Sequence, residues 1–154
     1  MMQLQVLNID EVRKTFALIR ERAVHPRTAM ESIATVAWKD VMEHFRNEEG
    51  PDSKWTPLKP ATIAARRKGR GTASDKILQD TGRLRMSNRW RTLEDEAHIY
   101  TSIGYAGVHN NDERGTGKLP QRKFLWLSDK AKGLINRMIL RWIREGKITM
   151  GPAN

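Results

Sequence analysis

Four histidines, His25, His44, His98 and His109, are the first side chains to weigh for chemistry. A neutral imidazole can bind a metal or move a proton near neutral pH. None stands at zinc-ligand spacing, of the HExxH kind, from a second histidine or a carboxylate. His44 follows Glu43 on a predicted helix with no histidine four residues on, so a helix-surface or partly buried imidazole is expected. His109-Asn110-Asn111 has the outline of a His-Asn-His nuclease segment. Such a site needs a second His or Asn one helix later to hold its metal, and the downstream helix offers only Asn136. No GxSxG elbow and no SxxK is present. The pairs Gly69/Gly71 and Gly115/Gly117 lack the strand, helix and Lys-Ser/Thr context of a phosphate loop. The expectation is a chain that is not an enzyme, with no catalytic residues, no metal and no cofactor.

What remains is charge. The 154 residues carry 28 Lys+Arg against 18 Asp+Glu, a formal net charge of +10. Residues 1–49 are net −1, residues 50–92 net +8 and residues 93–154 net +3. The densest run is Arg66, Arg67, Lys68 and Arg70, followed by Arg83, Arg85, Arg89 and Arg91. Arg66, Arg67, Lys68 and Arg70 could together contact several phosphates in a salt-dependent, sequence-independent way. No helix-turn-helix spacing, zinc finger or aromatic stacking platform accompanies them. A solvated basic loop, or a patch that docks an acidic protein surface, explains the same residues equally well.

The elements that must position these residues can be read from periodicity. Asn8 or Asp10 caps a first helix with Ile9, Val12, Phe16, Ile19 and Ala23 at helical spacing, broken by His25-Pro26. A second helix runs from about Thr28 to Arg46 with Met30, Ile33, Ala37, Val41 and Phe45 on one stripe, and Gly50-Pro51 ends it. The two should form an antiparallel pair that buries both stripes against another part of the fold. Pro60 opens a short helix closed by Gly69, and residues 71–76 read as a mobile loop. Asp80 or Thr81 caps one turn over residues 82–86. Period-two alternation over residues 89–93 and 97–103, around Glu94-Asp95-Glu96, predicts a β-hairpin. Residues 105–109 begin a strand or short helix, and residues 110–119 read as a loop. Ser128 caps a final helix that stops at Gly146. The class is α+β: two N-terminal helices, a small antiparallel sheet and a C-terminal helix in one domain over residues 1–154, with a flexible tail from about residue 146.

Other classes are excluded more simply. Hydrophobic residues are 38% and charged residues 30% of the chain, outside the disordered range. No apolar run approaches the roughly 20 residues of a membrane helix, so no membrane partner is expected. The first residues lack the charged head and apolar core of a secretory signal. With no cysteine there are no disulfides or thiolate sites, which fits a reducing compartment.

Three stretches, taken in order, resemble the phage virion morphogenesis family of tail-completion proteins. The first runs from Trp55 to Arg66 and holds Pro57 and Leu58 in a W-x-P-L-x-P-x-T pattern. The second, Lys76 to Arg85, is similar to the element K-I-L-x-D-T-G-R-L and contains Asp80, Thr81, Gly82, Arg83 and Leu84. The third joins Tyr105 and His109 to Pro120, Arg122, Phe124 and Leu125, ahead of Leu127-Ser128. Lys123 stands where the family prefers Pro, and Trp126 where it prefers Gly. The glycine expected soon after His109 is missing.

The resemblance implies a structural virion protein at the head-tail joint, or neck, of a tailed phage, assembled in the host cytoplasm. It would form a homo-oligomeric ring, a hexamer, that completes or terminates the tail tube and docks it to the head connector. Its partners would then be the tail tube protein, connector or stopper proteins, and genomic DNA touched non-specifically in the lumen. Arg66, Arg67, Lys68 and Arg70 are the lumen or interface candidates. The alternatives are a sequence-independent DNA-binding accessory protein and, within the neck, a stopper or connector protein.

Overall fold

The computed structural model describes residues 9–70, 74–111 and 119–148. Helix α1 spans Ile9–Val24 and α2 spans Arg27–Asn47. Pro60–Ala65 forms the short α3, continued by a widened turn over Arg66–Arg70 in which Gly69 takes φ 84°. Arg83–Met86 is the single turn α4, and β1 (Arg89–Thr92) pairs antiparallel with β2 (Ala97–Tyr100). Then come α5 (Ala106–Asn111) and α6 (Asp129–Glu145). The α+β class and the placement of the helices and hairpin follow the sequence reading. Among the described residues no helix is long and apolar enough to cross a membrane.

Helix α2 is the spine. Its apolar stripe is buried at Ile33, Ala37, Val41 and Phe45, as the helical spacing requires. The hairpin and α6 both pack against it. The main core gathers Val41, Phe45, Trp55, Ile77, Leu84, Ala106 and Phe124 at the C-terminal end of α2. Phe45 lies 5.2 Å from Phe124 and meets Trp55 edge-on at 5.7 Å, both ordinary aromatic packing geometries.

Helix α1 departs from expectation. It buries no residue, and Ile9 and Phe16 are 65% and 67% exposed. It does not form an antiparallel pair that buries both stripes. Instead its C-terminal end is clasped to the end of α6: Arg22 donates to the carbonyls of Ile143 and Arg144, and Trp142 donates to the Arg22 carbonyl. Among the described residues the hairpin and α6 pack against α2, and α1 packs against α6.

Smaller differences concern boundaries. β2 ends at Tyr100, short of residue 103. The N-cap of α4 is Gly82 itself, at φ 69° and without a side-chain cap bond, while Thr81 Oγ1 accepts only a long 3.4 Å bond from the Arg83 N–H. Neither Asp80 nor Thr81 therefore caps the turn in the expected way, because glycine alone adopts the left-handed corner cheaply. Ser128 does cap α6, accepting from the Ala131 N–H at 3.1 Å, and Gly146 closes it at φ 69°. Of the expected loops, residues 71–73 and 112–118 lie outside the described residues, as does the tail from residue 149.

Candidate cationic cavity

The three sequence stretches converge on one another. Trp55 is pinned by its N–H to the Glu48 carbonyl just past α2, and its indole Nε1 donates to the Lys123 carbonyl at 3.0 Å. Arg122, only 6% exposed, donates from Nε and Nη2 to the Thr56 carbonyl at 3.1 and 2.9 Å. The first stretch is thus stitched to the third. The second is tied to the spine, where the Ile77 N–H donates to Glu48 Oε1 and the Gln79 amide to the Phe45 carbonyl.

Where the stretches meet they enclose a cavity of about 370 Å³. Pro57 and Leu58 come from the first stretch, Asp80, Thr81, Arg83 and Leu84 from the second, and Tyr105, His109, Pro120 and Arg122 from the third. Thr56, Lys59, Thr62, Arg66, Leu78 and Leu119 complete the lining among the described residues. Leucines and prolines make the walls mostly apolar. Among the described residues four cations, Lys59, Arg66, Arg83 and Arg122, face one carboxylate, Asp80. Burial, and then the neighbouring guanidinium of Arg66, lower the pKa of Arg122 from its ordinary value. Burial, then Arg122, lower that of His109, whose buried Nδ1 has no hydrogen-bond partner among the described residues. An anion carried on an apolar group would match both the charge and the walls of this cavity.

The basic run is divided by the fold. Arg66 is largely buried, bonded to the carbonyls of Ser74 and Lys76 and 3.8 Å from Asp80. Arg67 pairs with Asp75 at 2.5 Å on the surface, and Lys68 is exposed. The side chain of Arg70 lies outside what is described. Arg66 thus belongs to the cavity wall, whereas Arg67 and Lys68 belong to the outer surface. Trp55 and Phe124 are core residues, Leu125 packs against that core, and Gly82 forms the corner before α4.

Several organising residues were not legible as such. Asn110, expected in a loop, ends up buried in α5, where its Oδ1 accepts the N–H groups of Phe124 and Leu125 at 3.0 and 2.8 Å. His44, expected at or near the surface, is 2% exposed and lies 4.0 Å from the ring of Trp126. That contact is made by the residue that departs from the family pattern. Lys123 also departs from it, but contributes its backbone carbonyl to Trp55, a role that any residue type can fill.

The sequence pattern of the phage virion morphogenesis family matches residues 7–144. No curated protein and no solved structure matches the chain.

Proposed function

The chain belongs to the phage virion morphogenesis family, and from that premise we propose that it is a structural rather than catalytic part of the neck. Membership gives a role in assembling a phage virion. The finer reading is a homo-oligomeric ring of six copies, placed where the tail tube ends and the head connector begins. It would complete or terminate the tube and present the docking surface for the connector. The observation that carries this reading is α1: Ile9, Val12 and Phe16 repeat at helical spacing, yet all three face outward. An apolar face left without cover among the described residues is what an assembly subunit carries. A closed ring also requires two different patches on each copy.

The basic surface bears on the lumen. With Arg66 taken up by the cavity wall, Lys68 and the Asp75-paired Arg67 are the described residues of that run left to face passing DNA. Electron microscopy of virions, with the chain localised in the neck, tests the assignment directly. A chain absent from virions that binds duplex DNA as a soluble monomer would replace this reading with that of a DNA-binding accessory protein.

A further inference from the structure

We propose that the cationic cavity is one half of a subunit contact, and that it receives the acidic tip of the β1–β2 hairpin from a neighbouring copy of this chain. The inference rests on the ring reading and names the two patches such a ring needs.

The hairpin tip is built for a site of this kind. It is closed by the Leu93 N–H donating to the Glu96 carbonyl at 2.9 Å, and it presents Leu93, Glu94, Asp95 and Glu96 in succession. All four are exposed, Leu93 by 49%. The three acids stand together on a chain whose net charge is +10. Their ion-pair neighbours among the described residues are imidazoles: His25, 3.7 Å from Glu94, and His98, 2.6 Å from Glu96. The cavity offers the complement: leucine walls for one apolar side chain, and Lys59, Arg83 and Arg122 for carboxylates. Electrostatic complementarity of this sort fixes partner and register.

The two patches lie at opposite ends of the molecule. The hairpin runs along α2, with the Asn88 carbonyl accepting from Trp38 Nε1 at 3.1 Å and Glu94 reaching back to His25 at the helix start. The cavity sits past the other end, where Leu58, Leu78 and Leu84 pack near Phe45. The turn α4 and the strand β1 hold Leu93 roughly 20 Å from Leu84 in the cavity wall. No copy can fill its own cavity with its own tip, so the contact is head-to-tail. Repeated around an axis, such a contact closes a ring. A nucleic-acid duplex fits the site less well, because a pocket with mostly apolar walls admits a side chain and not a helix of phosphates.

The test uses the full chain, whose lack of cysteine gives a clean background. The expected result is that Asp95→Cys and Lys59→Cys, placed in one chain, oxidise to covalent oligomers while either alone does not. Arg83→Glu, and separately Asp95→Arg, should each raise the dissociation constant of the wild-type oligomer about tenfold or more, and the double variant should recover most of that loss. Circular dichroism at each step keeps misfolding apart from dissociation. A wild-type chain that stays monomeric at all concentrations overturns the ring and this contact together. An oligomer indifferent to both reversals overturns the contact and leaves the ring standing. Loss of duplex binding in Arg83→Glu, with the oligomer unchanged, would assign the cavity to phosphate instead.

Discussion

Asp40, midway along α2, accepts two hydrogen bonds from Ser128: one from its N–H at 2.8 Å and one from its hydroxyl at 2.6 Å. The same hydroxyl oxygen accepts from Ala131 and caps α6. A carboxylate that is 7% exposed thereby orients the cap of the last helix and fixes where α6 docks on the spine. Removing the hydroxyl with Ser128→Ala should cost about 1–2 kcal/mol. Asp40→Ala strands the half-buried Ser128 N–H as well and should cost more, about 2–3 kcal/mol. Urea unfolding of the two variants checks the order; equal, negligible losses would contradict this role.

Acid should destabilise the fold through two imidazoles, the buried His44 and the half-buried His109. Burial lowers the pKa of His44, against a smaller raising pull from Asp40, Glu49 and Glu43. Burial and Arg122 lower that of His109. Both groups therefore bind protons more readily when unfolded. Their contribution is complete above the ordinary value of 6.5 and is lost as pH falls below it toward the folded values. Melting temperature followed from pH 8 downward should decline below that point, and His44→Gln should flatten the decline. A slope unaltered by the substitution would remove His44 from the account.

At Gly146 two constraints coincide. Its φ is +69°, and a Cβ placed there would stand 2.9 Å from Arg22 Nε. Gly146→Ala therefore strains the backbone and pushes Arg22 off the carbonyls that hold α1 to α6. We expect a stability loss of about 1–2 kcal/mol. Hydrogen exchange should speed up across residues 9–24 more than across α2.

Phe124 is fully buried against Phe45. Truncation to alanine should cost about 3–5 kcal/mol by opening a void in the main core. Leu119→Ala, on the half-open cavity wall, should cost under about 1 kcal/mol because that side chain is 50% exposed. Thermal unfolding compares the two directly.

The local elements were written in short-range signals. Ser128 and Gly146 bracket α6 because a cap and a left-handed glycine act within one turn of the helix. Glu94-Asp95-Glu96 marks the hairpin turn, since a polar break in period-two alternation is likewise local. The motif residues were visible as three runs and as a family pattern, but not as one cavity. Arg122 and Thr56 lie 66 residues apart and meet only after the core forms.

By itself the sequence determined the helices, the hairpin, the α+β class and the family, because all of these depend on neighbouring residues or on ordered motifs. Tertiary structure decided where each polar side chain finds its partner. It placed Arg66 in the wall of the cavity, buried His44 under Trp126, and drew Asn110 out of a loop to hold the Phe124 backbone. It also left α1 with an apolar face that no described residue covers, a result periodicity could not give. The spacing of Ile9, Val12 and Phe16 says that a face exists. Only packing says which surfaces of α2 are already taken.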